Sequence, residues 1–202
     1  VERNQTWDLI NPKTGEVVQT VHAASILEQA ARLAWKNGDP GVIFTDTLNK
    51  SNPTPHIGTL DTVNLCGEQP LLSYEACNLG SVNLVAHLDK LKGRQSTLGD
   101  YEMDWDELAK SVKVGVRMLD NVVSVCTYPL DKIDKVVKGN RKIGLGVMGW
   151  ADTLVRLGIP YGSDESFKLA RKVMKFIQKV AWEMSERLGK EKGNFPNFKG
   201  SR

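Results

Sequence analysis

An α/β fold is what the sequence predicts. Three observations lead there. Short apolar runs alternate with longer segments of helical period. Leu108, Val112, Val116, Leu119 and Val123 recur every three or four residues. Phe167, Ala170, Met174, Ile177, Ala181, Met184 and Leu188 do the same over a longer stretch.

The elements follow in order. Thr6 to Val21 reads as a hairpin, with a turn at Asn11-Pro12-Lys13-Thr14-Gly15. Ala24 to Asn37 reads as a helix carrying Leu27, Ala30, Ala31 and Ala34 on one face, stopped by Gly38-Asp39-Pro40. Val42 to Thr45 is a short apolar run, expected to be a buried strand. Asn49 to Gly58 is rich in breakers and reads as a loop. Thr62 to Glu68 and Leu79 to Leu84 are strand candidates. Lys90 to Asp104 reads as a polar surface connection.

Trp105 to Val125 is expected as a helix, with Cys126 continuing its apolar face in a structural role. Pro129 to Lys138 reads as a short basic helix. The last helix begins at Ser163, which can cap it, and Asp164 and Glu165 complement its dipole. Gly193 and Pro196 lie beyond its end.

With 202 residues the chain can bury a sizeable core. Lys plus Arg is 27 against 24 for Asp plus Glu, a net charge of +3 spread among acids. That balance argues against a nucleic-acid surface and for a solvated mixed-charge one. Three cysteines without CxxC spacing, and three scattered histidines, predict no metal site. No apolar run approaches the ~20 residues needed to span a membrane. Cysteine usage fits a cytoplasmic chain better than a secreted disulfide scaffold.

The richest stretch is Asn64-Leu-Cys-Gly-Glu-Gln-Pro-Leu-Leu-Ser-Tyr-Glu-Ala-Cys77. If it is extended, Asn64, Cys66 and Glu68 share one face, and Pro70 ends any ladder. A carboxylate there can take a proton from a hydroxyl, and an amide can hold a neighbouring hydroxyl. A thiol can act as nucleophile, redox partner or hydrogen-atom donor, and Cys77 adds a second thiol for disulfide chemistry. The same residues also fit a buried cysteine with polar neighbours in a turn.

The order of residues adds more. Asn-x-Cys-Gly-Glu-Gln-Pro-Leu-Leu followed by Tyr-Glu-Ala-Cys-Asn-Leu-Gly-Ser-Val-Asn-Leu closely resembles the active-site segment of ribonucleotide reductase large chains. The eleven-residue step from Cys66 to Cys77 resembles the adenosylcobalamin-dependent class II. Leu65 and Ser73 stand where that class often has Pro. Gly38 to Gly58, Arg141 to Asp152 and Phe195 to Ser201 also resemble the family, so the likeness covers nearly all of residues 1–202.

The resemblance implies part of a ribonucleotide-reductase-type α/β barrel, read here as an internal piece of one catalytic domain, with the cysteine loop at the barrel centre. It implies replacement of the ribose 2′-hydroxyl by hydrogen. In that scheme Cys66 becomes a thiyl radical and abstracts the 3′-hydrogen. Glu68 takes the 3′-hydroxyl proton, Asn64 bonds the substrate hydroxyls, and Cys77 is one of two reducing thiols. Adenosylcobalamin, a ribonucleotide, a thioredoxin-type reductant and a homodimer are the implied cofactor and partners. A class I large subunit with a separate radical donor is the alternative, and a module inert by itself is another.

Gly144-Leu-Gly-Val-Met-Gly149 matches the dinucleotide fingerprint GxGxxG. That fingerprint needs a strand before it and an acid about 20 residues on. Lys142-Ile143 offers little strand, Asp152 is too early and Asp164 caps a helix. The glycines are expected to serve close backbone packing instead.

Overall fold

The computed structural model describes residues 5–91, 93 and 98–202. The chain forms two compact units, one up to Leu48 and one from Asn49 onward.

The first unit is a hairpin followed by a helix. Strand β1 (Thr6–Ile10) pairs antiparallel with β2 (Val17–His22). The turn uses Gly15 at φ +74°. Helix α1 (Ala23–Asn37) ends where Gly38, at φ +87°, donates its N–H to Ala34 O. None of its residues is buried, and Leu27 is exposed. The expected buried strand at Val42–Thr45 does not form. Val42, Ile43 and Phe44 are exposed and irregular, and Thr45 opens helix α2 (Thr45–Lys50). An apolar run of this length looks alike in a strand and in an uncovered linker, because burial is decided by what packs on it.

The second unit is built on two long helices. Asp104 accepts the N–H of Glu107 at 2.9 Å and starts α3 (Trp105–Val125). Its buried residues are Leu108, Val112, Val116, Leu119 and Val123, the stripe the period foretold. Ser163 caps α6 (Asp164–Lys192) by accepting from Ser166 N. Here the buried stripe is Val173, Ile177, Val180, Met184 and Leu188. Phe167 and Met174, expected inside, are exposed. Ile177, Met184 and Leu188 are buried as expected, and the covered stripe continues through Val173 and Val180, on the side that packs with α3. Each fully buried Leu or Val contributes about 1.5–3 kcal/mol, so the α3–α6 seam with Val82 and Leu84 is the core. Cys126 does not prolong the α3 face. It is the half-buried capping residue in extended conformation, with its N–H on Val122 O.

Strand β3 (Thr62–Val63) pairs antiparallel with β4 (Pro70–Leu71). Strand β5 (Asn78–Asn83) leads through a 3-10 turn, Leu84–His87, to β6 (Leu88–Lys90), which pairs with β7 (Tyr101–Met103). The ends of the expected surface connection thus pair with each other in one ladder, while Lys92 and residues 94–97 lie outside the described residues. After α3 come α4 (Asp131–Asn140), β8 (Ile143–Met148) and α5 (Trp150–Leu157).

Strand β8 runs parallel to β5, from Asn78↔Ile143 to Asn83↔Met148. The crossover between them is helical, as a parallel pair requires. The GxGxxG run is therefore mostly the strand itself, more strand than its flanks suggested. Its glycines serve close packing: a Cβ on Gly144 would lie 2.3 Å from Leu79 Cδ2, and Gly149 sits at φ +73° against Asn83. Among the described residues every sheet has two strands. The architecture is α/β, and no closed barrel is formed by them.

Candidate active site

The segment Thr62 to Glu68 is not one strand. Only Thr62 and Val63 are paired; the chain then turns. Gly67 N–H donates to Asn64 O at 3.0 Å, closing a tight turn over Leu65 and Cys66. Gly67 has φ +82°, a conformation that excludes most other residues. Asn64 uses its side chain inside the loop: Oδ1 accepts Gln69 N–H at 3.0 Å. Pro70 does not end a ladder but opens the return strand, opposite Val63. The expected common face of Asn64, Cys66 and Glu68 is replaced by a β3–loop–β4 hairpin. Cys66 is exposed at its tip, Glu68 is exposed beside it, and Asn64 is half-buried at its base. Alternation along a strand fails here because the Gly67 turn resets the direction of each side chain.

Cys77 is a half-buried free thiol just before β5. Burial pushes it above the ordinary cysteine range; Lys142 opposes that shift, and Glu75 and Glu68 add to it. The charge of Glu68 is thus felt at Cys77, which brings the hairpin loop and the second thiol into one electrostatic neighbourhood.

Beneath them lies a buried polar network. Glu75 Oε2 accepts from Lys142 Nζ at 2.6 Å and from its own turn at Leu72 N, 2.8 Å. Its Oε1 accepts from Asn140 Nδ2 at 2.7 Å. Asn140 Oδ1 accepts in turn from Asn197 Nδ2 at 2.7 Å, and Lys142 Nζ also donates to Pro70 O at 3.0 Å. Gln69 lies against β8, where a Cβ on Gly144 would come within 2.5 Å of its Nε2.

Sequence reasoning quoted Glu75, Lys142 and Asn197 inside family-like segments but gave them no role. The signal was a carboxylate two residues before Cys77 and a lysine immediately before an apolar strand. Only the fold pairs them, across 67 residues.

Comparison with known proteins uses these same segments. A family description, the ribonucleotide reductase barrel domain, matches residues 1–202. The chain belongs to the ribonucleotide reductase family. It is similar to a vitamin B12-dependent ribonucleoside-diphosphate reductase of Mycobacterium tuberculosis, 45% identical over 202 residues, all of this chain and 28% of that protein. The vitamin B12-dependent ribonucleoside-diphosphate reductase of Thermoplasma acidophilum is 42% identical over 194 residues, 96% of this chain and 24% of its own. A ribonucleoside-diphosphate reductase subunit alpha of Chlamydia trachomatis is 34% identical over 195 residues, 94% of this chain and 18% of its own. The chain therefore spans about a quarter of the length of its curated relatives. Among the described residues, no helix is long and apolar enough to cross a membrane.

Proposed function

We propose that residues 1–202 are part of the catalytic barrel of a ribonucleotide reductase and carry its radical thiol. The protein reduces ribonucleotides, as diphosphates by analogy with the relatives' names, to 2′-deoxyribonucleotides. The observation that carries this reading is Cys66, exposed on a tight turn and flanked by Asn64 and Glu68, with a second free thiol, Cys77, within reach of the same charges.

Each residue has one task. Cys66 loses its thiol hydrogen and, as a thiyl radical, removes the 3′-hydrogen of the ribose. Glu68 accepts the 3′-hydroxyl proton; it is exposed beside the loop and becomes partly desolvated only when substrate covers it. Asn64, with Oδ1 spent on the loop, presents its NH₂ to a substrate hydroxyl. Cys77 and a second thiol expected upstream give two electrons and two protons, close to a disulfide, and the 2′-hydroxyl leaves as water. A thioredoxin-type reductant restores the thiols by exchange.

Adenosylcobalamin, when bound, would supply radical-generating chemistry, and Cys66 would be the thiol that gives up its hydrogen. A thiol at an exposed loop tip fits that donor role. Identities of 45% and 42% to two B12-dependent relatives, against 34% for a subunit alpha chain, support this over the class I alternative. We place the enzyme in the cytoplasm as a homodimer.

The test is direct. The full-length protein carrying this segment is incubated with adenosylcobalamin, a ribonucleoside diphosphate and a dithiol. Deoxynucleotide formation is expected, and its absence in a folded, nucleotide-binding preparation would overturn the reading.

A further inference from the structure

Lys142 enters β8 with its side chain only 14% exposed. Its ammonium has two acceptors, Glu75 Oε2 at 2.6 Å and Pro70 O at 3.0 Å. Both acceptors lie between Cys66 and Cys77 along the chain. Pro70 heads the strand that returns from the Cys66 loop, and Glu75 precedes Cys77 by two residues. The Glu75 side chain is wholly covered. Desolvating such a pair costs about as much as the attraction returns, so packing stability alone gives no reason for an ion pair here. What the pair adds is geometry: one cation fixes two backbone segments against each other.

We propose that Lys142 is a positioning residue for the thiol chemistry, holding Cys77 in place relative to the Cys66 loop. The proposal rests on the reading of Cys77 as a reducing thiol. The charged groups facing Cys77 are Lys142, Glu75 and Glu68. Lys142 is the one that favours the thiolate, the form that exchanges with disulfides. Its cation opposes burial and both glutamates, which on balance still hold Cys77 above the ordinary thiol range.

The experiment uses the full-length protein after reduction. Cys77 alkylation by iodoacetamide, in which the thiolate sulfur displaces iodide, is followed by peptide mass spectrometry across pH. Lys142→Met should slow Cys77 alkylation at neutral pH by about tenfold, equivalent to one pKa unit, and move its midpoint upward. Exposed Cys66 in the same samples should change little. Lys142→Arg should restore the parent profile to within about threefold, since the guanidinium keeps both charge and donors. Lys142→Gln removes the charge but keeps a hydrogen-bond donor for Glu75 and Pro70. It should slow Cys77 alkylation in the same direction, and it carries the measurement if the Met variant fails to fold. An unmoved Cys77 profile in folded Lys142→Met or Lys142→Gln overturns the proposal, as does loss of folding in both variants, because the lysine would then be purely structural. None of these readouts needs turnover. A parent without reductase activity would sink the functional reading alone.

Discussion

Gly144 and Gln69 meet where β8 passes the base of the cysteine loop. A Cβ on Gly144 would stand 2.5 Å from Gln69 Nε2 and 2.3 Å from Leu79 Cδ2. The first neighbour is the end of a flexible side chain; the second is anchored in β5. Gly144→Ala should therefore push both the loop and the β5–β8 pair. Overpacking of this kind costs about 1–3 kcal/mol. The expected outcome is a lower denaturation midpoint in the full-length protein and a larger fractional loss of reduction than of nucleotide binding. Unchanged stability and turnover would remove the contact from any role.

Asp120 ties three elements together. Arg141 Nε reaches its Oδ1 at 2.8 Å, and Lys192 Nζ reaches Oδ2 at 2.6 Å. Burial alone would raise its carboxyl, but the hydrogen bonds from Lys192 and Arg141 outweigh that and hold it below the usual range. A carboxyl depressed in the folded state adds stability above its unfolded value, near pH ~3.9, which is lost as pH falls through the folded value. Asp120→Asn should cost about 1–3 kcal/mol at pH 7 and flatten the acid arm of a stability-against-pH curve. Denaturation midpoints between pH 3 and 7 would check it, and parallel curves for parent and variant would count against the assignment.

Much of the second unit was legible beforehand. The α3 stripe appeared residue for residue because a 3.6-residue period over six turns is a strong signal, and Ser163 caps α6 as expected, whereas the Asp104 cap of α3 was not foreseen. The α6 stripe was read correctly at Ile177, Met184 and Leu188 and wrongly at Phe167 and Met174. Its Phe167 and Met174 are as apolar as Val173 and Val180, and only the position of α3 decides between them. The candidate site residues were proposed from their order, which gave no view of their geometry. Gly67 turns the chain where alternation assumed a strand. The Glu75–Lys142 pair joins positions too far apart for any local pattern to show.

Glu68→Gln keeps the shape of the side chain and removes the base. Hydrogen abstraction should survive in part while loss of the 2′-hydroxyl collapses, with kcat falling by about 10²-fold or more, the usual worth of a general base. Rapid-quench measurement of deoxynucleotide in the full-length variant is the check. An unchanged kcat would take Glu68 out of the proton transfer.

Cys77→Ser separates the two thiols. It should still permit hydrogen abstraction but fail to yield deoxynucleotide over repeated cycles, because no disulfide can form there. Steady-state turnover with a thioredoxin-type reductant is the measurement, and normal multiple turnover would contradict the role.

The central claim is that Cys66 is the thiol that becomes a radical. Release of tritium from a 3′-tritiated ribonucleotide tests it most directly, with full-length protein, adenosylcobalamin and a dithiol. The parent and Cys77→Ser should both release tritium. Cys66→Ser should bind nucleotide nearly as well and release none, because a serine O–H bond is too strong to give up its hydrogen usefully. Tritium release by folded Cys66→Ser at a rate near the parent's would contradict the claim.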